Sequence, residues 1–244
     1  MKSYIRKLVF VISLVLIILI LVLNTAAVLN SLDKKTGFFG NGDRFNVILD
    51  PGHGGEDGGA VSITGTAEKD INLAVALKTE KLLAFCGVPA IMTRTGDDIE
   101  YPPEAETTRL RKAADTKART ELINSTPDAL LVSIHQNKYG KENGVKGAQV
   151  FYASTEMSQL LAGAVTERLG LAAGIVRPPK EITGGVYIMT HIQCPAILVE
   201  CGFLSNREEA ELLESDSYQK KLSAAIAAGL LDFMANHNGG AYET

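Results

Sequence analysis

The sequence predicts an α/β fold: an open, mostly parallel sheet flanked by helices on both faces, preceded by an N-terminal transmembrane helix or signal peptide. Three observations carry this. Short apolar runs recur at 47–49 (VIL), 88–92 (VPAIM), 129–134 (ALLVSI), 148–152 (AQVFY) and 196–199 (AILV). Helical patterns lie between most of them. Several runs are apolar without alternation, as in strands covered on both sides.

At the N-terminus, Lys2, Arg6 and Lys7 precede an apolar run over 8–23, broken only by Ser13 and continued by softer residues to Leu29. At ~1.5 Å per residue the run spans roughly 24–33 Å, enough to cross a bilayer core. Its basic flank keeps the N-terminus in the cytoplasm and exports the rest. Thr25-Ala26-Ala27 offers small residues for a signal peptidase, so 1–29 is a retained anchor or, less favoured, a cleaved signal. Residues 30–43 are polar and glycine-containing and form a linker, 44–237 have the length of one domain with a full core, and 238–244 are a polar tail.

Within the domain, 68–85 places Ile71, Val75, Leu82 and Phe85 on one helical face, with Gly87 as the stop. Further helices are expected over 105–124, 158–169 and 218–237. The basic run Arg109, Arg111, Lys112, Lys117 and Arg119 is expected to be a solvated helix face. A net charge of −4 argues against a nucleic-acid partner. Three cysteines cannot form a fully paired framework, and Cys194 and Cys201, flanking one apparent strand, stand roughly 20 Å apart if extended. All three are expected to be small buried hydrophobes.

Three strands end on ionisable residues. The first runs into Asp50 and then, in a glycine-rich turn (50–59, DPGHGGEDGG), His53; the second ends on His135, the third on Glu200. Sheets of this class place their chemistry beyond the carboxyl ends of the strands. Two imidazoles and a carboxylate are the usual protein ligands of a hydrolytic zinc. His53 and His135 supply the imidazoles; the carboxylate could be Asp50, Asp57, Glu68 or Glu200. Glu68 has the best case, because it opens a helix whose positive end favours an ionised carboxylate. Glu200 then serves as general base. The glycines let a metal and a bulky substrate approach His53 closely.

The chain resembles the zinc-dependent N-acetylmuramoyl-L-alanine amidases of bacterial cell walls over 44–237. The motifs that carry the resemblance occur in order: ILDPGHGGEDGGA (48–60), EKDINL (68–73), MTRTGDD (92–98), RTELIN (119–124), VSIHQN (132–137) and PAILVECGFLSN (195–206). The resemblance implies one Zn2+ held by His53, Glu68 and His135, with Glu200 as the catalytic carboxylate. The family commonly has a small residue where Gln136 stands; Gln136 narrows the pocket or reaches the substrate, and Asn137 either bonds the substrate or fixes its own loop. Arg94 is expected in a structural ion pair, His191 at a rim or in the core, and His237 as a solvated cap. Loops 95–108, 136–147 and 173–185 are expected to rim the groove.

The implied reaction is hydrolysis of the amide joining N-acetylmuramic acid to the L-alanine of the peptidoglycan stem. A short, N-terminally anchored chain without wall-binding repeats most resembles the germination-specific, sporulation amidases, which strip spore-cortex glycan so that muramic-δ-lactam can form. The alternatives are a vegetative autolysin of the same chemistry, a metallopeptidase cutting the stem peptide, or an inactive wall-binding scaffold. Expected partners are peptidoglycan, the membrane through the N-terminal segment, and an activator protein. The catalytic domain is expected outside the cytoplasm: in the spore intermembrane space if sporulation-specific, secreted if the N-terminal segment is cleaved.

Overall fold

A computed structural model of the chain describes residues 45–141 and 144–237. The expected anchor (1–29), linker (30–43) and tail (238–244) lie outside the described residues, and among these no helix is long and apolar enough to cross a membrane.

Six strands form one sheet: β1 (Asn46–Pro51), β2 (Ile91–Met92), β3 (Ala129–Asn137), β4 (Ala148–Tyr152), β5 (Val176–Glu181) and β6 (Ala196–Phe203), in the order β2-β1-β3-β6-β4-β5. The central strands β1, β3 and β6 run parallel, with β2 parallel to β1 at one edge. β4 is antiparallel to β6, and β5 is parallel to β4, so the sheet is mixed. The cause lies in the connections. Between β3 and β4 the described residues hold no helix and the chain direction reverses, whereas β4 reaches β5 through a helix, which preserves it.

Helices α1 (Glu68–Phe85), α3 (Glu156–Ala173) and α6 (Asp216–Asn236) pack together on one face, with α5 (Arg207–Glu214) against α6. Helix α2 (Thr108–Ser125) and the short α4 (Tyr187–His191) cover the other. Helices α3 and α6 approach so closely that a Cβ at Gly229 would lie 2.6 Å from the Val165 Cα.

Several expectations change. The buried line of α1 runs Ile71, Val75, Thr79, Leu83, four residues apart, while Leu82 is 37% and Phe85 90% exposed. A straight helix drifts so that the stripe ends at 83 rather than 82 and 85. Cys86, just past that helix, is exposed and not a core residue; Cys201 is buried and Cys194 partly so. Residues 176–181 form an edge strand where a rim loop was expected, its two prolines tolerated at a sheet edge. Helix α5 had no counterpart in the sequence pattern.

Candidate metal centre

Side chains alternate along a strand, so residues two apart share a face. Ile48, Leu131 and Leu198 belong to one core cluster, packed with Ile123 of α2 and Ile188 of α4. Continuing by twos along the same three strands gives Asp50, then Ser133 and His135, then Glu200, on the same face at the carboxyl ends. The register brings them side by side: Asp50 lies opposite Ser133, and His135 opposite Glu200.

Beyond Pro51 the chain turns sharply, with His53 held at φ +63°, a conformation uncommon outside glycine. Two of the glycines here, Gly52 and Gly59, make room for the side chains of candidate ligands. A Cβ on Gly52 would meet the His135 ring at 2.2 Å, and one on Gly59 would meet Glu68 and His53 at 2.7 Å.

Glu68, the first residue of α1, is 4% exposed. Its Oε2 accepts from the Ala60 N–H (2.9 Å) and lies 3.2 Å from His53 Nε2. Its Oε1 accepts from the Gln136 N–H (3.1 Å) and lies 2.9 Å from His135 Nδ1. The other nitrogen of His53, Nδ1, is 2.8 Å from Asp57 Oδ2, which orients the ring. His53, Glu68 and His135 thus offer ligand atoms all within 4.8 Å of one another, the one such group among the described residues. The rival carboxylates are engaged elsewhere. Asp50 accepts from Thr93, Ser133 and Arg119; Asp57 meets His53 and Lys112.

The charges are strongly coupled. Burial disfavours a proton on His53, but Asp57 and Glu68 outweigh it and push the imidazole up to about 9. Burial likewise opposes ionisation of Glu68, yet hydrogen bonds and charge from His135 and His53 hold its carboxyl well below the usual range. Glu200 goes the other way: burial, helped by the Glu68 charge and opposed by the two histidines, pushes it up to about 7. Its Oε2 is buried without a hydrogen-bond partner.

A cavity of about 490 Å³ joins these groups, lined on one side by Val186, Tyr187 and Ile188 and including Glu200, His53, Glu68 and His135. Asn137 lines it too, its carbonyl accepting from the Leu204 N–H. Gln136 also lines the cavity; it is buried, and its amide nitrogen donates to Asn72 Oδ1.

Two arginines depart from expectation. Arg94 forms no ion pair among the described residues; its guanidinium donates to the carbonyls of Pro51, Gly52, Lys69 and Gly96. Arg119, expected on a solvated face, is 5% exposed and donates to Asp50, Pro51 O and His53 O. Between them they tie down three successive carbonyls of the turn carrying His53. Arg111 and Lys112 also face the turn, pairing with Glu56 and Asp57. His191 is exposed and stacks on Tyr187 at 3.8 Å, outside the ligand group. His237 caps α6, its ring stacked on Phe233. Burial pushes the Cys201 thiol up to about 12, which removes it as a nucleophile. Sequence reasoning weighed Asp57 only as a ligand and missed Asn72, which bonds the Gly52 carbonyl and lies 3.4 Å from Glu68; the position of Asn72 one turn after Glu68 was the available signal.

The N-acetylmuramoyl-L-alanine amidase family profile matches residues 47–232. The germination-specific N-acetylmuramoyl-L-alanine amidase of Bacillus subtilis is 35% identical over 188 residues, covering 77% of this chain and 78% of that one. The CwlD amidase of Clostridioides difficile, solved in complex with the GerS lipoprotein, superimposes with a TM-score of 0.74 at 35% identity, covering 79% of this chain and 100% of that one. The catalytic domain of the amidase CwlV from Bacillus (Paenibacillus) polymyxa gives 0.67 at 27% identity, covering 78% and 98%. The chain belongs to the N-acetylmuramoyl-L-alanine amidase family and is an amidase of peptidoglycan.

Proposed function

We propose that this amidase cleaves the bond between the lactyl group of N-acetylmuramic acid and the stem L-alanine, with one zinc ion held by His53, Glu68 and His135 and with Glu200 as acid–base group. The observation that carries the proposal is the convergence of two imidazoles and a carboxylate beside a buried carboxyl oxygen, Glu200 Oε2, that has no partner of its own. The donor set suits zinc: nitrogen and oxygen ligands, fewer than four from the protein, and one imidazole fixed from behind by Asp57. Bound there, zinc supplies Lewis acidity toward an amide carbonyl and toward water.

The protein's own residues do the rest. Glu200, with a carboxyl near neutrality, takes a proton from the attacking water and hands it to the departing alanine nitrogen. Val186, Tyr187 and Ile188 give the cavity an apolar wall that limits water around the scissile bond. Asn137, which lines the cavity at the end of β3, is proposed to hydrogen-bond the substrate.

The biological setting proposed is the spore cortex, with removal of stem peptides permitting muramic-δ-lactam formation. Support comes from similarity to the germination-specific Bacillus subtilis enzyme. An activator of the lipoprotein class is proposed by analogy with the CwlD complex. The N-terminal apolar run supports export of the catalytic domain, anchored at the membrane.

Digestion of purified muropeptides with and without zinc tests the chemistry. The expected products are peptide-free glycan and peptides beginning with L-alanine; cuts inside the peptide would make the protein a peptidase instead. Mass spectrometry of cortex from a deletion strain tests the setting: normal muramic-δ-lactam would exclude it.

A further inference from the structure

Lys138 is the one cation lining the cavity that lacks a carboxylate partner among the described residues. Arg119 is taken by Asp50 and Asp115, and Lys112 by Asp57. The Lys138 ammonium donates only to the Val61 carbonyl, at 2.9 Å, on the exposed side of the cavity. Its backbone is pinned on both sides: the Asn137 carbonyl accepts from the Leu204 N–H, and the Tyr139 N–H donates to Ser205 Oγ. The backbone that carries the charge is therefore fixed, three residues beyond His135.

We propose that Lys138 binds a free carboxylate of the stem peptide, the one carried by its second residue. This rests on the amidase function above and adds a specificity determinant to it. Three residues of extended chain put the Lys138 Cα within ~10 Å of that of His135, and two residues of stem peptide extend at most ~7 Å from the scissile nitrogen. The lysine stem bridges the remainder. A stem glutamate linked through its side chain leaves its α-carboxyl free or amidated, and only the free acid matches an ammonium whose present partner is a neutral carbonyl. The other lining cations are already paired with carboxylates, so the position of Lys138 selects where the peptide lies.

The test uses the full-length chain with zinc supplied and two muropeptides identical except for a carboxylate or a carboxamide at the second residue. An exposed, charge-assisted contact predicts a preference of roughly 3- to 10-fold in kcat/KM for the carboxylate, carried by KM and narrowing at high salt. In Lys138→Gln the ratio between the two substrates falls to about one, and in Lys138→Arg the preference returns. Equal use of both substrates by the active wild-type protein, or an undiminished preference in Lys138→Gln, would overturn the subsite while leaving the amidase intact. Hydrolysis of neither substrate by the wild type with zinc and the proposed activator both present would overturn the proposed amide cleavage and the subsite with it.

Discussion

At the level of single residues, the contrast between Glu68 and Glu200 organises the chemistry. Both are carboxyls within one cavity, but Glu68 receives two backbone N–H groups and faces two imidazoles, which keeps it ionised. Glu200 is buried with one oxygen unpartnered, which raises it to about 7 and leaves it able to exchange a proton. Replacing Glu200 by Gln preserves shape and removes only the titration. The expected outcome is zinc bound in the wild-type ratio, measured by metal analysis, with kcat lowered by roughly 10²–10⁴. Substantial turnover in that variant would remove Glu200 from the mechanism. That both carboxyls would meet in one cavity was legible in the sequence because each residue occupies a punctuation point, a helix start or a strand end. The anchoring of the turn by Arg94 and Arg119 was not, since the groups they hold there are carbonyls of Pro51, Gly52 and His53, far back along the chain, and no side-chain pattern marks a carbonyl.

Among elements, the turn after β1 is the part most tightly specified. Gly52 is needed because the His135 ring occupies the place of a Cβ, 2.2 Å away. Gly52→Ala must displace that ring, so zinc affinity should fall while the fold persists; competition with a chelating dye measures it. Gly96→Ala, where a Cβ would meet nothing within 4 Å, is the control and should bind zinc as the wild type does. Helix α2 is fastened to β1 by the buried Arg119–Asp50 pair at 3.1 Å. Burial of Asp50 opposes its ionisation, but Arg119, Thr93 and Ser133 outweigh it and hold the carboxyl below its ordinary value of 3.8. A depressed carboxyl contributes stability above the unfolded value and loses it as the pH falls through the folded one. Asp50→Asn should therefore cost about 3 kcal/mol near neutral pH, shrinking below about pH 4, as read from urea midpoints. A constant difference across that range would mean the pair is not ionic. The sequence pattern identified β1, β3, β4 and β6 and the four long helices; it lost β5 because Pro178 and Pro179 erase a strand signal that only an edge position permits.

For the molecule as a whole, strand direction decides where function can sit. Alternating strands and helices suggested a mostly parallel sheet, and the central strands obey it, but β4 and β5 run the other way. Direction there depended on whether a connection contains a helix, and the described residues of 138–147 contain none. The consequence is that β1, β3 and β6 bring their carboxyl ends to the cavity while β4 and β5 do not, and the proposed ligands arrive from β3, the turn after β1 and the start of α1. Such a site ties together segments distant in sequence, so a bound ion would stabilise the whole domain rather than one loop. Zinc binding the folded state alone would add about 2.7 kcal/mol at a hundredfold excess over its dissociation constant. For a domain of this size that is a rise of roughly 5–10 °C in Tm. Differential scanning calorimetry with zinc and with chelator should show that shift in the wild type. In Glu68→Gln, which removes the central carboxylate, the shift should be lost or sharply reduced; a full shift surviving there would move the metal away from this centre.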